Sequence, residues 1–235
     1  QSVLREALSL SYSQGHRPEG LITRAPSAWE EIKRVVTQHR CQSLLLGLGQ
    51  VSQGTSNREL QELIEKVGCD VALMKSPPNW QLHEVRKVLV PVGGRGAEHE
   101  LRARFLGSLT RNRDREVTFM SVVPTSDSES SVKATQNTIE RLAEVKLGGN
   151  VHVEVIKSDV PTDAILNASE NYDLIVLGLG QMPNSQLLDN PAIRVAHECK
   201  CAAVLLSRHH SRLPLLDAWS PLRSSKASTK TDEDQ

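Results

Sequence analysis

Aromatic residues are scarce: three Trp, two Tyr and two Phe among 235 positions, 3% of the chain. So few rings argue against a surface that stacks nucleobases. An excess of either charge is missing too. The 28 basic residues are balanced by 28 acidic ones. That argues against broad electrostatic capture of nucleic acid or of an anionic membrane, and leaves only a local patch open to either. No run in these residues approaches the roughly 20 apolar positions of a membrane span, and no secretory signal is legible.

Cysteine is sparse as well. The four are Cys41, Cys69, Cys199 and Cys201. A chain of this size builds a core without covalent staples, so no disulfide framework is expected and a reducing cytoplasm is the simplest compartment. Cys199-Lys200-Cys201 lacks the usual zinc spacing. Cys69 and Cys201 each open an apolar strand and read as small buried residues. Catalytic signatures are missing: there is no G-x-S-x-G elbow, no H-E-x-x-H and no P-loop with its Lys. His209-His210 reads as a solvated pair, and His16, His39, His83, His99 and His197 each stand alone. No catalytic residue and no metal ligand is assigned from sequence.

What the chain does have is an internal repeat. Leu44-Leu45-Leu46-Gly47-Leu48-Gly49-Gln50 returns as Ile175-Val176-Leu177-Gly178-Leu179-Gly180-Gln181, 131 residues on. Each copy follows a helical segment and precedes a helix and a last apolar run. A repeat on this scale implies two related α/β units in tandem. The second is complete and the first lacks its front half. The chain opens on Gln1 inside helical sequence, so it reads as a piece of a longer protein.

The complete unit covers residues 85–208. Residues 85–92, Val-Arg-Lys-Val-Leu-Val-Pro-Val, read as a strand entering the turn Gly93-Gly94-Arg95-Gly96. Leu101, Phe105, Leu106 and Leu109 put a helix over 98–109. A strand follows at 117–123, then a helix at 127–145 closed by Gly148-Gly149. Residues 151–156 alternate in polarity, as an edge strand does. Pro161 opens a helix, 173–177 is a continuous apolar central strand, Asn190-Pro191 caps a helix, and 201–206 is the last strand. Strict β-α alternation with short connections gives a parallel sheet with helices on both faces.

The partial unit covers 1–76. A helix is expected over 1–13, a short strand over 20–23, and a helix from the capping box Ser27-Ala28-Trp29-Glu30 to His39. A strand is expected at 42–46. A second capping box, Ser56-Asn57-Arg58-Glu59, opens a helix that ends at Gly68 in a left-handed cap, and the last strand is 71–75. Residues 77–84, with Pro77-Pro78, form the linker. Residues 209–235 are polar and read as a disordered tail.

On these residues the chain resembles the universal stress protein family. The carriers are the five-strand alternation, the V-L-V-P-V first strand running into a Gly turn, and the L-I-V-L-G fourth strand. The resemblance implies two tandem doubly wound, flavodoxin-like parallel sheets of strand order 3-2-1-4-5, the first truncated at its N-terminus. It also implies a nucleotide-sized crevice between the first and fourth strands, and dimerisation, often through the last strand. The chain is similar in particular to family members that form the cytosolic C-terminal domain of prokaryotic amino-acid permeases and cation-chloride cotransporters. Arg102-Ala103-Arg104-Phe105-Leu106-Gly107-Ser108-Leu109 resembles segments that follow the first strand in such tails.

Ligands of open doubly wound sheets bind at the carboxyl ends of strands, at the switch point. Gly93, Gly94, Arg95, Gly178 and Gly180 are therefore the candidate nucleotide or anion residues, with glycine main chain and Arg95 facing phosphate. The motif is degraded. Nucleotide-binding members carry an Asp where Gly93 stands. They follow the fourth strand with Gly, two residues, Gly and later Gly-Ser or Gly-Thr. Here the second Gly has moved by one position to Gly180, and Asn190-Pro191 occupies the later region.

No cofactor is assigned, ATP or another adenine nucleotide being the alternative. The expected function is a non-catalytic cytosolic regulatory and dimerisation domain of a membrane transporter. It would form a homodimer, be covalently linked to an N-terminal transmembrane transporter domain, and bind no nucleic acid. The alternative is a soluble tandem universal stress protein that binds adenine nucleotide.

Overall fold

The computed structural model describes residues 2–13, 15, 17–48, 55–93, 99–111, 114–147, 151–180 and 187–209. The first unit supplies α1 (Ser2–Ser13), α2 (Ala28–Gln38), β1 (Ser43–Gly47), α3 (Thr55–Lys66) and β2 (Asp70–Lys75). The second supplies β3 (Lys87–Pro91), α4 (His99–Thr110), β4 (Glu116–Val123), α5 (Glu129–Leu147), β5 (Val151–Lys157), α6 (Pro161–Ser169), β6 (Leu174–Gly178), α7 (Pro191–Glu198) and β7 (Ala202–Ser207).

Hydrogen bonding places the strands in the order β1-β2-β7-β6-β3-β4-β5. Within the second unit this is 5-4-1-2-3 read by unit position, the expected 3-2-1-4-5 in reverse. All its ladders are parallel. The two sheets expected from the repeat are joined into one. β2 pairs with β7 antiparallel, from Val71 opposite Ser207 to Lys75 opposite Ala203. Both are last strands of their units, so the two units meet back to back. Dimerisation through the last strand is therefore corrected: β6 and β2 of the same chain occupy the two sides of β7.

The core follows from side-chain alternation in the central strands. In β6, Leu174 and Val176 join Val88, Val90, Val204 and Leu206 under Leu101, Leu106 and Leu109 of α4. Ile175 and Leu177 face the other way. They join Leu73 and Leu205 in a cluster that continues to Leu60 and Leu63 of α3 and Ile193 of α7. That second cluster crosses the junction between the units. Each fully buried aliphatic side chain contributes about 1.5–3 kcal/mol, so the junction is part of the hydrophobic core.

Buried polar groups hold the connections. Arg115, 7% exposed, donates to the main-chain oxygens of Val85 (3.1 Å), Leu82 (2.7 Å) and Leu109. It thereby ties the linker and the end of α4 to the start of β4. Asp173 Oδ2 accepts the N–H groups of Arg86 (2.8 Å) and Lys87 (2.9 Å), which fixes the start of β3 beside that of β6.

Local expectations fared unevenly. Ser27 caps α2, its hydroxyl accepting the Glu30 N–H at 3.4 Å. Asn190 caps α7 by accepting the Ala192 N–H at 2.9 Å. No strand forms at 20–23; Leu21 and Ile22 are 54% and 72% exposed, and among the described residues no strand pairs with this segment. Ser56 lies inside α3, which begins one residue earlier at Thr55. Gly68 does not adopt a left-handed conformation; the segment after α3 turns directly into β2. The glycine stop at 148–149 and the residues beyond 209 lie outside the described residues.

Candidate functional site

β3 and β6 are the adjacent parallel strands at which the chain order reverses. Their ladder runs from Val88 opposite Leu174 to Leu89 opposite Ile175. Beyond it the strands part. The Val92 N–H donates to Met120 O of β4 at 2.7 Å, and the Leu179 N–H donates to Leu206 O of β7 at 2.9 Å. Each strand turns its hydrogen bonds away from the other, the divergence at the carboxyl end of the sheet where open doubly wound folds bind their ligands.

The sequence-derived residues fall around this opening. Gly93 follows β3 and is exposed. Gly178 ends β6, opposite Leu206. Gly180 has φ of +63°, a left-handed conformation that glycine adopts without steric cost. A Cβ built on Gly93 or on Gly180 meets nothing within 4 Å, so main chain at both positions is open to close approach. Gly94 and Arg95 lie outside the described residues.

Two further residues shape the opening. Asn190 Nδ2 donates to Leu179 O at 2.6 Å, so the cap of α7 also holds the turn after β6. Arg102, 5% exposed on α4, donates through Nη1 to Pro91 O at 2.8 Å. It brings a buried guanidinium to the end of β3. The Asn190 cap was legible as a helix start, but its second bond was not. Helical spacing carried the signal that was missed: Arg102 shares the face of Phe105, Leu106 and Leu109 and is buried, whereas Arg104 lies on the opposite face and is exposed. Among the described residues the opening offers glycine main chain, with the buried Arg102 guanidinium held on Pro91 O, and Gly93 stands where the family's carboxylate is expected.

A cleft of about 300 Å³ lies at the opposite end of the sheet, between Trp80, Glu84, Tyr172, Asp173, Lys200 and Cys201. Two pairs of its polar groups bond one another. Lys200 Nζ donates to Glu170 at 2.6 Å, and Trp80 Nε1 donates to Asp173 O at 3.3 Å. It sits at the amino ends of β3, β6 and β7, away from the switch point, and reads as a seam under the linker.

Cys201 lines it and Cys199 precedes it by two residues, both free thiols. Cys199, 5% exposed, is held down to about 7 by a hydrogen bond from Cys201 and by the Lys75 ammonium, against the cost of burial. Cys201 is pushed up by that same hydrogen bond and by burial. Among the described residues no group of three or more His, Cys, Asp or Glu side chains is arranged to hold a metal ion.

The profile of the universal stress protein family matches residues 84–208, more than half of the chain. No curated protein sequence matches it. Among solved structures, the chain is similar to the cytoplasmic domain of a prokaryotic cation chloride cotransporter. The identity is 18% and the TM-score 0.63, over 86% of this chain and 78% of that one. It is similar to a universal stress protein from Archaeoglobus fulgidus at 15% identity and TM-score 0.59, over 88% and 76% of the two chains. A putative universal stress protein from Pseudomonas aeruginosa matches at 15% identity and TM-score 0.56, over 88% and 78%. At these identities the likeness is one of fold, and it extends across both units and the junction between them. With the profile match over the complete second unit, it establishes that the chain belongs to the universal stress protein family.

Proposed function

We propose that this chain is a cytosolic regulatory domain of a membrane transporter, of the amino-acid permease or cation-chloride cotransporter type, without a catalytic role of its own. The observation that carries this reading is the back-to-back pairing of the two units through β2 and β7, in a fold similar over most of its length to a transporter's cytoplasmic domain. The degraded ligand motif supports it. Gly93 stands where a ribose-holding carboxylate is expected, and Asn190 is spent on capping α7 and on Leu179.

Such a domain acts through the arrangement of its units. A ligand or partner shifts that arrangement only by its differential affinity for the two states. Dimerisation belongs to this reading, and it uses a surface other than β7, whose two sides are filled. Among the described residues no helix is long and apolar enough to cross a membrane, so a spanning part would lie elsewhere in the polypeptide.

The second reading is a soluble stress protein that holds adenine nucleotide at the β3–β6 crevice. The left-handed Gly180 and the open main chain at Gly93 favour it. Reading the coding sequence upstream of Gln1 separates the two. Several apolar spans of about 20 residues support the transporter reading. A short polar extension refutes it and makes ATP titration the next experiment.

A further inference from the structure

The two units enter their last strands by the same turn, with different chemistry in it. Cys69 precedes β2 by one residue, and Cys201 precedes β7 by one. Two residues before each, a helix ends on the same bond. The Val67 N–H donates to Leu63 O at 2.8 Å, and the Cys199 N–H donates to Val195 O at 2.9 Å. Val67 and Cys199 are therefore equivalent, and both are buried, at 2% and 5% exposed. The second unit has a thiol where the first has an aliphatic side chain, so this turn carries two thiols only in the second unit.

The chain bends at Lys200 and Cys201, and the bend brings the two sulfurs together. Cys199 Sγ lies 3.5 Å from the main-chain oxygen of Cys201, and the two side chains hydrogen-bond each other. Cys69 shows the contrast. Burial pushes its thiol up, the inert condition of a core cysteine. Cys199 goes the other way, to about 7, through the Cys201 hydrogen bond and the Lys75 ammonium. Thiolate, the reactive form, is thus available near neutral pH. Access is through Cys201, which is half-buried and lines the cleft of about 300 Å³.

We propose that Cys199 and Cys201 form a modification site for hydrogen peroxide, which oxidises the pair to a disulfide within the turn between α7 and β7. The Cys199 thiolate attacks one peroxide oxygen. The O–O bond breaks, and the leaving hydroxide takes up a proton and departs as water. Cys199 is then a sulfenic acid. The Cys201 sulfur attacks the Cys199 sulfur, the S–O bond breaks, and the oxygen leaves with the Cys201 proton as a second water. The two thiols lose two electrons, and one peroxide is reduced to two waters. The ring so closed contains the Cys199 carbonyl carbon, whose oxygen accepts Lys75 Nζ at 3.0 Å. Oxidation therefore acts on the tie between β2 and the end of α7, and through it on the junction of the units. The site is separate from the β3–β6 crevice and independent of what that crevice holds.

To test this, the reduced, intact chain is treated with hydrogen peroxide at neutral pH, its remaining thiols are alkylated, and it is digested with trypsin without reduction. Trypsin cuts after Lys200, between the two cysteines. Mass spectrometry is expected to find residues 195–200 joined to 201–208, with Cys41 and Cys69 alkylated, and dithiothreitol is expected to separate the two peptides. In Cys201→Ser, whose fold circular dichroism verifies, dimedone is expected to trap the sulfenic acid on Cys199. In Cys199→Ser, oxidation of the thiol at 201 is expected to slow at least about tenfold, because thiolate is scarce there. A disulfide between Cys41 and Cys69 instead, a disulfide between two copies, or thiols that react only after urea unfolds the chain overturns the proposal. The digest of the wild-type chain shows any of these without a variant. Equal rates at Cys201 with and without Cys199 overturn it as well.

Discussion

Lys75 Nζ donates to the main-chain oxygen of His197 at 2.7 Å, and one ammonium thereby ties the last strand of the first unit to the last helix of the second. The same nitrogen reaches Ala196 O at 2.9 Å and Cys199 O at 3.0 Å. These are carbonyls at the end of α7, where intrahelical partners run out and the helix dipole favours a cation. Lys75→Met keeps the length of the side chain and removes all three bonds. A loss of about 1.5–3 kcal/mol is expected, the range for hydrogen bonds to a charged group. Urea denaturation measures it, and an unchanged midpoint contradicts the role assigned to Lys75.

Arg115 gives the second prediction. Its guanidinium joins Leu82, Val85 and Leu109 through their carbonyls, almost out of contact with water. Arg115→Met leaves three acceptors short of a donor, and a cost of about 3 kcal/mol is expected, because groups stranded in the interior lose their full solvation. Arg115→Lys recovers part of it, since one ammonium does not reproduce the planar fork. Thermal unfolding of the two variants ranks them, and equal stability refutes the fork.

At the crevice, Gly180→Ala separates backbone strain from crowding. Nothing lies within 4 Å of a Cβ placed there, yet φ is +63°. The expected cost is about 1 kcal/mol from the left-handed conformation alone. Gly93→Ala, equally uncrowded and without a positive φ, is expected to be nearly neutral. The pair is compared by chemical denaturation, and a larger loss at Gly93 contradicts the geometry.

The Cys199 thiol predicts a pH dependence. Its value in the folded chain is about 7, below the ordinary 9.0 of a thiol. The stabilisation it brings is therefore complete above pH 9 and is lost as pH falls through 7. Under reducing conditions, the stability gap between the wild-type chain and Cys199→Ser widens from pH 7 to pH 9. Lys75→Met shrinks that widening, because the ammonium is one of its causes. A gap that stays constant across this window rules out the lowered thiol.

The repeat made the architecture legible. L-I-V-L in β6 is apolar at every position because both faces are covered, and a single sequence displays that directly. Pro161 and Asn190-Pro191 announced their helices because capping is local chemistry. The union of the two sheets was not legible. β2 and β7 read equally well as edges or as neighbours, and only the cluster running from Leu60 through Leu205 to Ile193 decides it. Residues 20–23 misled for the same reason. Leu-Ile-Thr has strand propensity, but a strand needs a partner, and none of the described strands lies beside it. Within the site, Gly178 and Gly180 were found by their motif. Arg102 was overlooked although its spacing puts it on the apolar face of α4; its partner, Pro91 O, is what the sequence does not encode.

The central claim is that one chain supplies both halves of the β2–β7 junction. Isotope-filtered NMR on a mixture of labelled and unlabelled protein tests it most directly, through the contact between Leu73 and Leu205, which lie opposite each other. The account predicts that this contact appears only within single molecules and does not change with concentration. An intermolecular signal between Leu73 and Leu205 would show that the last strands pair between copies, and would contradict it.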